Sequence, residues 1–125
     1  MTKKQDSTLV KRNEIYVVNF DQTVGSEIKK TRPALILQND ISNQYSPITI
    51  VAAITSKPER ALYPTEVSIS HSQKQSGLNN DSVILLNQIR TIDKNRLIKK
   101  LGNLNQETMV QTDIALKISL GLVDI

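Results

Sequence analysis

The run Ile48-Thr49-Ile50-Val51-Ala52-Ala53-Ile54-Thr55 constrains the fold more than any other segment, because it is the most apolar stretch in the chain. A strand that is apolar on both faces has to be covered on both sides, so this one is expected at the centre of a sheet. Its partners are legible as shorter runs. Ile15 to Phe20 is rich in β-branched and aromatic residues and reads as a strand. Pro33 opens Ala34 to Leu37, at the first position of a strand, where proline costs little. Pro64 to Ser70 alternates, with Val67 and Ile69 on one face and Glu66, Ser68 and Ser70 on the other. Ser82 to Leu86 continues through Gln88 to Ile92. Polar connections separate these runs: Asp21 to Thr31, a turn over Asn39 to Ser46, and loops over Ser56 to Tyr63 and Ser72 to Asp81. Asp93 is placed to cap a short basic helix, Lys94 to Lys100. Asn105 caps a last helix, Gln106 to Leu120, on which Val110, Ile114 and Ile118 share one face, and Gly121 sits at its C-terminal cap. About five or six strands followed by a helix make an α+β protein, with a strongly curved antiparallel sheet or small barrel.

At 125 residues the chain has the length of one domain. We read residues 1–12 as a polar, flexible leader and 13–125 as that domain. Sixteen Lys and Arg against twelve Asp and Glu leave a net charge of +4, which permits an anionic partner without requiring one. The chain has no cysteine, which excludes disulfides, thiol nucleophiles and Cys-ligated metals. A single histidine, His71, excludes a histidine acid–base pair within one chain. No apolar run approaches the ~18–20 residues of a membrane span. The polar N-terminus has no apolar signal core, and together with the missing cysteines this points to the cytoplasm.

Familiar catalytic patterns are missing. Gly25, Gly77, Gly102 and Gly121 are too scattered to form a phosphate loop, and the sequence has no metal-ligand spacing. His71, within Ser70-His71-Ser72-Gln73, reads as an exposed loop residue. Two basic clusters stand out: Lys29, Lys30 and Arg32 in the first long loop, and Lys94, Arg96, Lys99 and Lys100 further on. Arg32 is wedged between Thr31 and Pro33 at the mouth of a strand, either aimed at an anion or held in a structural salt bridge. Tyr16 and Phe20 suit the core, whereas Tyr45 and Tyr63, in loops, are able to stack a base.

Val24-Gly25-Ser26-Glu27 followed by Thr31-Arg32-Pro33 resembles the loop-and-strand motif of the MazF/PemK toxins, the endoribonuclease half of toxin–antitoxin pairs. The resemblance continues in order through Gln38-Asn39-Asp40, Tyr45-Ser46-Pro47, Val51 to Thr55, Asp81 to Leu86, Gln88 to Asp93 and Ile118-Ser119-Leu120, from Arg12 to Leu122 in all. It implies an SH3-like antiparallel β-barrel with a short helix and a C-terminal helix. It also implies a homodimer and a cognate acidic antitoxin that blocks the RNA groove; no membrane partner is expected, since no apolar run is long enough for a span. The implied activity is metal-independent, cofactor-free, sequence-specific cleavage of single-stranded RNA such as mRNA. By position the implied catalytic pair is Arg32 and Thr55. Three departures are visible: Ile28-Lys29-Lys30 where Gln-Gly-Gly is common, Arg12-Asn13-Glu14 where Arg-Gly-Asp is common, and Ile48 where Thr commonly follows Ser-Pro.

Such cleavage uses the neighbouring 2′-hydroxyl as nucleophile and leaves a 2′,3′-cyclic phosphate and a 5′-hydroxyl, which suits a chain with neither cysteine nor a histidine pair. A guanidinium forks onto phosphate oxygens better than an ammonium, and a hydroxyl donates one further bond. Arginine stays protonated, so Arg32 is assigned to charge stabilisation. Glu27 is the nearest carboxylate in sequence and is read either as general base or as a loop-ordering partner of Lys29 and Lys30. Ser26, Lys29, Lys30, Gln88 and Arg90 are the candidate RNA contacts, with backbone-satisfied polar side chains as the alternative for Gln88 and Arg90. A strand-end hydroxyl capping a turn is the alternative for Thr55. Two other functions compete: a toxin of the same barrel that poisons a protein such as a topoisomerase, and an inactive RNA- or antitoxin-binding module. The presence of both Arg32 and Thr55 favours the nuclease.

Overall fold

The computed structural model describes residues 9–20 and 31–125. Among them six strands form one antiparallel sheet: β1 (Glu14–Asn19), β2 (Thr31–Ile36), β3 (Ile48–Ser56), β4 (Glu66–Ile69), β5 (Ser82–Asp93) and β6 (Leu97–Asn103), in the order β4-β5-β3-β2-β1-β6. Two helices complete the α+β fold, α1 (Asp40–Tyr45) and α2 (Gln106–Ser119). No described helix is long and apolar enough to cross a membrane.

The apolar run lies inside the sheet as expected, and each of its faces meets a different core. Ala52 and Ile54 pack with Ile15, Leu35, Ile69, Ile84 and Leu86, beneath Met109 and Ala115 of α2. Val51 packs on the opposite side with Tyr16, Val18, Phe20, Ala34, Ile36 and Ile92. Alternation along the strands divides the residues between these clusters. β5 serves both because its register against β3 slips between the pairs Ala52↔Ile89 and Ile54↔Ile84, a bulge that turns the sheet and leaves Asn87 and Gln88 exposed.

The edges β4 and β6 do not pair with each other among the described residues; the β4–β5 connection bridges them instead. After a single 3₁₀ turn at Lys74–Ser76 it meets β6 backbone to backbone. A Cβ on Gly102 would lie 2.1 Å from the Gln75 carbonyl oxygen, and one on Gly77, where φ is +77°, would lie 2.1 Å from that of Leu101. Only glycine permits an approach this close. Gln73 ties the same connection to α2: its Oε1 accepts from the Asn105 backbone N–H at 2.7 Å, and its Nε2 donates to Thr108 Oγ1 at 3.3 Å.

Several elements depart from the sequence expectation. Asn39 to Ser46 is not a turn but carries α1, because its polar side chains are used internally. Asn39 accepts from the Ser42 N–H, and buried Asn43 bonds Gln38 and Thr49. The basic helix expected over Lys94 to Lys100 is one 3₁₀ turn, Lys94–Arg96, capped by Asp93; Leu97 onward joins β1 as β6. Lys94 is buried, its Nζ donating to the Asn43 carbonyl, and burial lowers its pKa. Glu66, expected on the polar face of its strand, is buried. α2 begins at Asn105 and ends in a Schellman cap at Gly121, with Leu122 N–H bonded to the Lys117 carbonyl. Its inward face, however, is Thr108, Met109, Thr112 and Ala115, while Val110 and Ile114 point outward. Thr112 is accommodated because its hydroxyl donates back to the Thr108 carbonyl.

Residues 1–8 of the expected leader lie outside the described residues, whereas Val10 is buried and Arg12 is anchored. Its backbone N–H donates to Asp40, its Nε to the Leu37 carbonyl and its Nη2 to Asp113 at 2.7 Å. Asn13 beside it has φ +93°, the one positive-φ residue other than glycine among those described, and its buried Oδ1 lacks a partner. This is the position where the resembled family commonly has glycine. Replacing Asn13 by glycine removes both the left-handed strain and the unpaired carbonyl. Asn13→Gly should therefore stabilise the protein by about 1 kcal/mol, raising Tm by roughly 3–6 °C in a thermal melt. A lower Tm would show that the side chain contributes more than it costs.

Candidate functional site

The β2–β3 ladder pairs Ala34 with Ala53, Leu35 with Ala52 and Ile36 with Val51, and stops there. Pro33 is the next residue and has no N–H to give. Extending the same register two residues further sets Arg32 opposite Thr55, beyond the last bonded pair. β2 itself continues to Thr31 because β1 holds its other side, Val18 opposite Arg32 and Asn19 opposite Thr31. Proline inside the strand, rather than at its start, thus ends one ladder while leaving the other intact.

Where β2 and β3 lose contact, a cleft of about 410 Å³ opens. Thr31 to Pro33 and Ile54 to Ser56 line one side, and Gly77 to Asn80 of the β4–β5 connection, with Ser82 and Leu101, line the rest. Arg32 is the one charged side chain among these lining residues. Arg32 and Thr55 are half-buried, and neither side chain has a hydrogen-bond or ion-pair partner among the described residues. The structural salt bridge considered for Arg32 and the turn cap considered for Thr55 are therefore not formed among those residues. The cleft offers a guanidinium and a hydroxyl, both donors, and no described carboxylate; chemically it suits an anion.

Thr55 and Ser56 also line a second concavity of about 430 Å³, with Arg60, Tyr63, Glu66 and Gln88. Gln88 is thus brought close to the cleft by the bulge in β5. Arg90 lines neither concavity; its guanidinium lies 4.9 Å from the Phe20 ring centre. Ser26, Glu27, Lys29 and Lys30 lie outside the described residues. The second basic cluster does not form one patch: Lys94 is buried, Arg96 donates to the Asn19 carbonyl and Lys100 pairs with Glu14. His71 is exposed as expected, and its Nδ1 lies 2.8 Å from Asp81. That contact, after the bond from the His71 backbone N–H, keeps the Asp81 pKa below its ordinary value. Among the described residues no group of His, Asp and Glu is arranged to hold a metal ion. Sequence reasoning missed the Arg60–Glu66 pair and the Asn79-Asn80 wall; a glutamate at the start of a strand, six residues after an arginine, was the available signal for the first.

A small, incompletely closed antiparallel barrel carrying two helices, with a cationic cleft at the end of two strands, defines the class of α+β protein, and comparison with known proteins narrows it. Residues 11–120 match the model of the PemK-like, MazF-like toxins of type II toxin–antitoxin systems. The chain is 50% identical to endoribonuclease EndoA of Bacillus subtilis (strain 168) over 116 residues, covering 93% of this chain and 98% of that one. The fold is that of a mycobacterial endoribonuclease solved with its cognate antitoxin, with TM-score 0.76, 23% identity and coverage of 93% and 99%. It also matches the Mycobacterium tuberculosis toxin MazF-mt6, with TM-score 0.72, 26% identity and coverage of 90% and 99%. The chain belongs to the PemK/MazF family of type II toxins.

The second concavity rests on a titratable pair. Arg60 donates to both Glu66 oxygens, at 2.9 and 3.0 Å, and the Tyr63 N–H donates to Oε1 at 2.9 Å. The Arg60 fork first, and then the Tyr63 bond, hold the Glu66 pKa below its ordinary value of 4.5. A lowered folded pKa means stability that is present above the unfolded value and lost as pH falls through the folded one. Glu66→Gln should accordingly flatten the acid limb of a Tm-against-pH profile below about pH 4.5. An acid limb of unchanged steepness would assign that limb to other carboxylates.

Proposed function

We propose that this toxin cleaves single-stranded RNA by metal-independent attack of a 2′-hydroxyl on the adjoining phosphodiester. The 2′-oxygen forms a bond to phosphorus as the bond from phosphorus to the 5′-oxygen breaks. The 2′-hydroxyl proton passes to a base, and a proton reaches the departing 5′-oxygen. The ends are a 2′,3′-cyclic phosphate and a 5′-hydroxyl. Arg32 offers a bidentate guanidinium to the non-bridging oxygens as negative charge grows on the phosphorane, and Thr55 donates a second hydrogen bond. Glu27, outside the described residues, is the proposed proton acceptor, and Ser26, Lys29, Lys30, Gln88 and Arg90 are the proposed RNA contacts.

The observation that carries this reading is that Arg32 and Thr55, 23 positions apart by their numbering, line one cleft with no carboxylate among its described lining residues. The naming of EndoA as an endoribonuclease supports the same activity here. A cognate acidic antitoxin that covers this cationic surface, and action in the cytoplasm where mRNA is found, belong to the proposal. So does a homodimer, because Val110 and Ile114 present an apolar stripe on α2 that the barrel leaves uncovered. A protein-poisoning toxin leaves the Arg32 and Thr55 pair without a task, and an inactive binding module would use it to hold an anion without cutting it.

The purified protein should cut mixed-sequence RNA in EDTA and leave the ends named above. Arg32→Ala should lose about 2–4 kcal/mol of transition-state stabilisation, a rate loss of roughly 30- to 1,000-fold, with the fold retained. Arg32→Lys should remain poor because the fork is gone. Thr55→Ala should lose less than Arg32→Ala, and Thr55→Ser should keep most activity. Near-normal turnover by folded Arg32→Ala would remove the proposal. Sedimentation velocity at micromolar concentration should give a dimer, and Ile114→Glu a monomer.

A further inference from the structure

The cleft and its two donors leave the second concavity without a task, yet its interior is organised. Glu66 is buried and accepts both arms of the Arg60 fork. Arg60 Nη1 also donates to the Ala61 carbonyl at 3.0 Å. The Arg60 carbon between the guanidinium nitrogens lies 4.3 Å from the Tyr63 ring centre, and the Tyr63 backbone N–H closes the circuit on Glu66. A buried carboxylate therefore fixes a guanidinium, and the guanidinium backs an aromatic ring. Tyr63 nevertheless stays 54% exposed, on a wall shared with Thr55 and Ser56.

We infer that Tyr63 is the stacking platform for one base of the RNA, that of a nucleotide adjoining the scissile phosphate; this rests on the nuclease reading above. Three physical features support it. The two concavities meet at Thr55 and Ser56, so a strand whose phosphate lies at Arg32 and Thr55 can pass directly into the second. The ring is held by contacts that exist before RNA arrives, so less side-chain freedom is lost on stacking. Gln88 lines the same concavity with an amide that both donates and accepts, able to meet the edge of a base lying on the ring. Tyr45 is more exposed, at 78%, but lies on α1 and lines neither concavity, so it does not share this role. Arg60 acts through the ring and is a positioning residue.

The test is steady-state cleavage of a short RNA carrying the preferred site, and of the same RNA made abasic at each position beside the cut bond. Base–aromatic stacking predicts that Tyr63→Ala raises KM about tenfold, with kcat changed less than about threefold, and that Tyr63→Phe stays near wild type. Arg60→Gln should give an intermediate KM at unchanged kcat. At one flanking position the abasic RNA should cost the wild type about the same factor and cost Tyr63→Ala nothing further. A purely structural Tyr63 would not produce that non-additivity. Wild-type cleavage with an unresponsive Tyr63→Ala, or additive losses at every flanking position, would overturn the inference alone. A wild-type protein that cuts no RNA would remove the nuclease reading and the inference with it.

Discussion

Two glycines let the β4–β5 connection lie against β6, and much of the molecule depends on that contact. Among the described residues the sheet ends at β4 on one side and β6 on the other, and an exposed edge is a template for unwanted pairing. The backbone approach at Gly77 and Gly102 bridges them without a ladder. The same connection then turns its far side, Gly77 to Asn80, toward β2 and β3 as a wall of the cleft. Bridging of the sheet edges and construction of the site are thus one feature. A side chain at either glycine would displace backbone, and the wall with it.

Pro33 works at the opposite wall by subtraction. A central strand ordinarily donates to both neighbours; this one stops donating to β3 at the point where a cleft is needed, while β1 still holds it. Arg32 therefore stands on a regular strand, with its direction set by alternation, at the rim of an opening. A site built on strands is held more firmly than one built on loops. The bulge in β5 has a similar part, since the slip in register that turns the sheet also brings Gln88 into the neighbouring concavity.

Strands β1 to β5 were legible because their signals are local: β-branched runs, alternation, and polar segments between them. The central strand, the caps at Asn105 and Gly121, and Arg32 at a strand mouth all follow from a few residues each. The misreadings came where a partner distant in sequence decides the outcome. Asn39 to Ser46 looks like a turn until Thr49 and Gln38 satisfy Asn43. The helix begun at Lys94 stops after one turn because β1 offers an edge to Leu97 and its successors. On α2 the apolar spacing of Val110, Ile114 and Ile118 left open which side the stripe serves; Val110 and Ile114 lie outside the barrel, and Thr112, its hydroxyl satisfied within the helix, is among the residues turned inward. Arg32 and Thr55 were paired by family resemblance; register is what brings them to one cleft, and register is not written in composition.

An arginine facing a cleft without a described carboxylate also has a thermodynamic consequence for the whole domain. The net charge of +4 already opposes compaction slightly, and the cleft adds a cation whose partner the described fold does not supply. Any anion that enters binds the folded chain and not the unfolded one, so it stabilises by RT ln(1 + [L]/Kd), about 2.7 kcal/mol at a hundredfold excess over Kd. Occupancy and persistence are therefore coupled in this toxin. The proposed acidic partner, seated on this cleft, would make the chain harder to unfold while bound, so inhibition of that kind would also preserve the molecule that it restrains.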